Sequence, residues 1–310
     1  MNRKITWPEG KRFAFTIFDD PDSQTLEVAR EVYPLLKDCG LRTTKAVWPV
    51  RGNGIPSDHG STCDDPGLVP WLKNLQADGF EIGYHNATSH TSTRSETLHG
   101  LERFAELFGH FPHASANHYY CDEGVYWGDD RLTGLNRAVY NLLTRGRNRN
   151  RYAGHLPGHA YFWGDLCQQR IKYVRNFVFA EINTLKACPF MPYHDPLRPY
   201  VNYWYAASEG SNVSSFNARV QESEQDRLEE EGGACIMYTH FGHGYYDDGR
   251  LNTRFRSLIE RLTKKNGWFV PVTTLLDFLG QQKAEPAITS QERAALERRW
   301  LLHKIRFGTA

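Results

Sequence analysis

Hydrophobic positions along the chain switch between two periods. Apolar, aromatic and β-branched runs of the kind that form strands buried on both faces lie at Phe13–Phe18, Thr43–Trp48, Phe80–His85 and Ala234–His240. Weaker runs lie at His113–His118, Phe177–Phe179, Val201–Ala206 and Trp268–Val270. Between them the period lengthens to that of a helix: Leu26, Ala29, Tyr33 and Leu36 form one face up to Gly40, with Pro34 expected to kink or shorten the helix. Leu98, Leu101, Phe104 and Leu107 form another, opened by a Thr93–Glu96 capping box and closed near Gly109. Helices are also predicted over 252–265 and 273–279. This alternation predicts an α/β fold, a distorted (β/α) barrel of about seven to eight parallel strands over residues 1–283. Residues 284–310 read as a C-terminal amphipathic helix and tail. Its apolar Leu296, Trp300 and Leu301 lie opposite Arg293, Arg298, Arg299 and Lys304, and are expected to pack on the barrel or on a second copy rather than on a membrane surface.

Composition narrows the function classes. The 310 residues carry 37 basic and 36 acidic side chains, a net charge of +1, which argues for neither nucleic acid nor an anionic membrane as the main partner. No apolar stretch approaches the length of a membrane span, and the N-terminus lacks the apolar core of a signal peptide, so a cytoplasmic protein is expected. The six cysteines form no Cys-x-x-Cys pair and read as buried small hydrophobes or surface thiols rather than as disulfides or zinc ligands. The 17 Phe, 16 Tyr and 8 Trp hint at a ring-stacking, sugar-type ligand. The Gly/Pro/Ser/Asp-rich stretch 51–67 is long enough for a lid or binding loop, and the arginine-rich stretch Arg145–Arg151 reads as an exposed loop.

The chemistry concentrates at strand ends. The first strand runs into Asp19 and Asp20, adjacent carboxylates whose mutual repulsion calls for a cation or a shared proton. The third stops on His85, with His90 close behind, and the last on His240. In a parallel barrel these ends share one rim with Asn117 and His118. Neutral imidazole and carboxylate suit a divalent transition metal with open positions. Asp22 reads as the N-cap of the first helix rather than as a third acid.

These segments resemble the polysaccharide deacetylase family, which includes the chitooligosaccharide deacetylases. The family motif Thr-Phe-Asp-Asp is matched by Thr16-Ile17-Phe18-Asp19-Asp20 with one inserted residue, its histidine motif by Glu81-Ile82-Gly83-Tyr84-His85 with His90, and its last motif by Tyr238-Thr239-His240. The resemblance implies a metal-dependent deacetylase of N-acetylated sugars, with Asp19 as general base, His240 as general acid, and Asp20, His85 and His90 as ligands of a divalent metal, zinc first, with Mn, Co or Ni as alternatives. Asn117, His118, Tyr203 and Trp204 are expected to touch the carbohydrate. The sequence departs from the family in four places. Pro21-Asp22 follows the paired acids, the motif histidines are five apart, the Asp-Trp motif has no clean match, and Ala114–His118 stands where an Arg-Pro-Pro motif is usual, which makes His118 a rival ligand. A metal-dependent hydrolase or lyase of another substrate class, or a non-catalytic sugar-binding protein, stays open as an alternative.

Overall fold

The computed structural model describes residues 5–283 and 287–310. The first four residues, and residues 284–286 at the expected 283/284 boundary, lie outside the described residues. Seven parallel strands close into a barrel: β1 (Phe13–Asp19), β2 (Thr44–Val47), β3 (Glu81–Tyr84), β4 (Ala114–Ala116), β5 (Tyr173–Phe179), β6 (Tyr203–Glu209) and β7 (Ala234–Thr239), in that order, with β7 returning to β1. β8 (Tyr246–Asp247) and β9 (Arg250–Leu251) form a small antiparallel hairpin, and β10 (Gly267–Trp268) adds to the lower half of β1. The surrounding helices are α1 (Leu26–Asp38), α2 (Leu68–Ala77), α3 (Arg94–Phe108), α4 (Gly134–Leu143), α5 (Gly164–Arg170) and α6 (Thr184–Ala187). They continue with α7 (Val213–Arg219), α8 (Glu222–Glu231), α9 (Thr253–Thr263), α10 (Val272–Gln281) and α11 (Ser290–Phe307). The expected barrel is therefore present. The capping box opens α3, and α1 runs through Pro34 to a C-cap at Cys39, one residue before the expected Gly40.

Strand alternation on β1 sets the geometry of the whole centre. Phe13, Phe15 and Ile17 point outward and pack with Val32 and Leu36 of α1 and Ile259 and Leu262 of α9. Phe18 points inward, where its ring meets Tyr205 of β6 at 6.2 Å. It also meets the bare backbone of Gly83 on β3: a Cβ there would come within 3.2 Å of Phe18 and 2.9 Å of Thr44, so the interior has room only for glycine. By the same parity Asp19 turns outward toward α1, while Asp20 turns into the barrel.

Helix α11 is an integral part of the body. Leu296, Trp300 and Leu301 join the main core, and Trp300 lies 5.2 Å from Phe177 of β5. Arg293 belongs to the buried side of α11, not to the exposed basic face expected from the sequence. It binds Asp195 at 2.7 Å, and Asp195 also pairs with Arg198, which lies 3.6 Å from the fully buried Glu297. Glu297 further accepts hydrogen bonds from Thr133 and Asn136 at the start of α4. A second buried carboxyl ties the loops after β3 and β4: Glu123 accepts a 2.7 Å bond from Asn86, which itself accepts from the His118 amide. Burial pushes the Glu123 carboxyl up to about 8.

Asp195→Asn should leave two buried arginines short of charge and destabilise the protein by about 3–5 kcal/mol, read by chemical denaturation. Glu123 keeps its proton in the folded state up to about 8, whereas an unfolded glutamate loses it near ~4.3. Its contribution is thus fully present below the unfolded value and is lost as pH rises through that window. Glu123→Gln should flatten the fall in melting temperature across it.

Candidate metal centre

Four strand ends and the turn after β1 converge on one buried cluster. Asp20 continues the β1–β7 ladder, its amide donating to Thr239 at 2.9 Å, and its carboxylate takes both arms of Arg175 from β5, at 2.6 and 3.1 Å. Two residues on, Asp22 turns back over the barrel mouth. Its Oδ2 lies 3.2 Å from His85 Nε2 and its Oδ1 lies 3.3 Å from His118 Nδ1, and those two nitrogens are 3.0 Å apart. His240 Nε2 faces the same space, 3.8 Å from a carboxylate oxygen of each of Asp20 and Asp22. The cap of α1 is instead Thr25, whose side chain accepts from the Val28 amide. The reading of Asp22 as the N-cap is corrected accordingly.

Hydrogen bonds on the outer sides fix which nitrogens face inward. His240 Nδ1 donates to the Ser211 carbonyl at 2.7 Å, leaving Nε2 as the inward lone pair that accepts from Tyr238 Oη at 3.1 Å. Ser57 Oγ donates to the Ser89 carbonyl at 2.7 Å, so its lone pair meets His118 Nε2 at 2.7 Å. That nitrogen then carries the proton, and Nδ1 points bare at Asp22. Burial pushes the His118 imidazole below its ordinary value and so favours the neutral ring, while Asp22 pulls the other way. Burial alone would raise the Asp22 carboxyl, but His85 and His118 hold it well below the usual carboxylate range.

The donor set suits a cation. Asp22 is 1% exposed, yet neither carboxylate oxygen receives a well-aligned hydrogen bond, and His85 Nδ1 makes none either, Asp20 Oδ1 lying 3.6 Å away. A buried acid with two unsatisfied oxygens is costly unless a positive charge lies between them and the imidazoles. Asp22, His85 and His118 each offer one ligand atom within 4.8 Å of the others, and so do Asp20, Asp22 and His240. The first group is the two-histidine, one-carboxylate set used for divalent metals.

The expected site residues separate into two groups. Asp20, His85, His118 and His240 meet at the cluster. Asp19 lies on the outer side of β1, fully buried, accepting from Tyr33 (2.9 Å), Gln24 (3.1 Å) and the Phe241 amide (3.0 Å), with Lys45 Nζ at 3.2 Å. Burial pushes its carboxyl up and Lys45 works against that. His90 joins neither ligand group; its ring fills the space beside Gly52 and Gly54, where a Cβ would come within 2.5 Å of it. Asn117 spends its amide on both backbone groups of Val125. Tyr203 and Trp204 begin β6, at the end of the barrel opposite the cluster, and Trp204 is fully buried. Two participants were missed from sequence. Asp22 was hidden in a turn signature, and Arg175 was the available clue, a lone charge inside the buried run Tyr-Val-Arg-Asn-Phe-Val-Phe.

No family model and no curated protein sequence matches the chain. Its fold does match solved structures. A "putative polysaccharide deacetylase" from Mycobacterium smegmatis superposes with a TM-score of 0.53 at 12% identity, covering 92% of this chain and 96% of that one. The peptidoglycan deacetylase PdaC from Bacillus subtilis covers 95% of this chain and 99% of its own at a TM-score of 0.40 and 14% identity. Puue allantoinase covers 98% and 94% at a TM-score of 0.48 and 12% identity. The likeness to the mycobacterial structure is one of architecture: this chain has the same (β/α) barrel.

Proposed function

We propose that the protein is a metal-dependent amide hydrolase that removes acetyl groups from an N-acetylated sugar or glycan intermediate. The observation that carries this reading is the Asp22–His85–His118 set facing the Asp20–Arg175 pair and His240 across one small space. A divalent metal held by Asp22, His85 and His118, zinc in first place, would polarise the amide carbonyl and acidify a water beside it. The roles implied by the motif resemblance then move along the chain. Asp20, rather than Asp19, is the group that takes a proton from the attacking water. Arg175 orients it through a two-pronged ion pair, a service for which the absent Arg-Pro-Pro arginine is not needed. The proton that Asp20 removes from the water passes to the departing amine through His240, whose Nε2 lone pair first receives it, with the ring held by the Ser211 carbonyl. Asp19 is a structural acid that neutralises the buried Lys45. The carbohydrate assignment draws support from the barrel shared with the mycobacterial protein.

Substrate entry involves the loop 51–63. Ser57 sits on His118, the Ser23 amide donates to the His59 carbonyl, and Asp58 accepts from Ser23 and Tyr119. None of the five cluster residues is more than 7% exposed under this cover.

The test is acetate release from N-acetylglucosamine oligomers and N-acetylated nucleotide sugars, beside elemental analysis of bound metal. Asp20→Asn should lose turnover by several orders of magnitude and keep the metal, whereas Asp22→Asn should lose both. Asp19→Asn should keep the metal and melt at lower temperature. Full turnover in Asp20→Asn, or no metal in the wild type after loading with Zn, Mn, Co or Ni, would overturn the reading. Removing the hydroxyl that orients His118, in Ser57→Ala, should weaken metal affinity about 10–100-fold, measured by chelator competition, with Ser57→Thr restoring most of it.

A further inference from the structure

The near-neutral total charge hides a local separation. Residues 132–151 and 298–310 contain nine Arg or Lys and no Asp or Glu. Both stretches lie on one side of the barrel, where α4 and α11 pack together through Tyr140 and Trp300, 5.7 Å between ring centres, and through a bond from Asn136 to the Ala294 carbonyl. Arg145, Arg147, Arg149, Arg298 and Arg306 are exposed.

The apolar pattern of the same helices is turned outward. On α4, Leu135, Ala138, Val139 and Leu142 occupy i, i+3, i+4 and i+7, and all four are exposed, Leu135 and Leu142 at 79% each; Tyr140 alone is buried. Such a stripe normally faces a core. Next to it α11 exposes Leu302, Ile305 and Phe307 beyond its own buried face, with Arg306 stacked on Phe307 at 5.2 Å.

The charge pattern selects the occupant. At the edge of the patch Arg137 is paired with Asp129 and Asp130, and Arg151 with Asp122. A second copy bound through a two-fold axis would set the exposed Arg145, Arg147, Arg149, Arg298 and Arg306 against one another, with no acid in either stretch to pair them. Nucleic acid would use the arginines and leave seven aliphatic and aromatic side chains in water. A lipid surface uses both: basic side chains reach anionic headgroups, and the leucine stripe enters the acyl boundary. This requires no spanning segment, and among the described residues no helix is long and apolar enough to cross a membrane.

We propose that the α4–α11 face docks the protein onto bilayers containing anionic lipid. This stands independently of the reading of the metal centre, since none of these side chains belongs to it.

The test is co-sedimentation of the full chain with vesicles of phosphatidylcholine alone or mixed with phosphatidylglycerol. The wild type should pellet with the mixed vesicles and not with the neutral ones. The triple variant Arg145→Gln/Arg147→Gln/Arg149→Gln should lose about fivefold in partitioning per arginine. The double variant Leu135→Glu/Leu142→Glu should lose about tenfold or more even at low salt. Both change exposed positions, so an unchanged melting temperature serves as the folding control. No pelleting of the wild type on mixed vesicles overturns the proposal without recourse to any variant. So does binding that the leucine changes leave intact, which would mark a purely electrostatic surface able to take RNA or an acidic protein. A concentration-dependent dimer abolished by the leucine changes would assign the face to a second copy and also overturn it.

Discussion

The period-two alternation of β1, a strand held along both edges, governs everything above it. β7 pairs with its length on one side, while β10 and then β2 pair with its lower and upper parts on the other. Its register is therefore fixed, and a strand of fixed register sends neighbouring side chains to opposite faces. Two chemically identical carboxylates thereby acquire different work. Asp19 neutralises a lysine in the layer between strand and helix, and Asp20 enters the barrel, where an arginine from the far wall meets it.

The barrel was legible because its evidence is repeated: each strand is a buried apolar run, and each helix carries its own stripe. Histidines at strand ends were legible for the same reason, since the strand ends define a rim. The division of labour among Asp19, Asp20 and Asp22 was not. The adjacent pair resembled a known motif, which does not tell that Asp19 faces the helix layer and Asp20 the barrel, while Asp22 in Asp-Asp-Pro-Asp looked like turn chemistry. His90 and His118 could not be ranked by spacing, because the choice rests on which loop comes back over β3. Tyr203 and Trp204 looked like stacking rings, but a residue that begins a strand lies at the opposite end of the barrel from one that ends it. The broken parity in β5, between Arg175 and Val178, is likewise invisible in sequence.

Charge is handled differently in the two halves of the molecule. Beneath the mouth, carboxylates and cations are matched at short range, as with Asp20 and Arg175 or the Asp195 clasp of α11. Arg131 is an exception: fully buried, it lies between the rings of Trp127 and Trp300, 4.0 and 4.4 Å from their centres, and binds Asn176. Burial without an acid beside it pushes its guanidinium down to about 10. Aromatic faces and one amide thus take the place of a counter-ion beneath α11.

The strap formed by Ser57 and Asp58 couples cover to alignment. The same few residues roof the centre and orient one of its imidazoles. Any ligand of the centre must fit beneath this roof or displace it, and displacing it removes the hydroxyl that holds His118 Nε2. Cover over the cluster and orientation of its imidazole therefore rest on the same side chain.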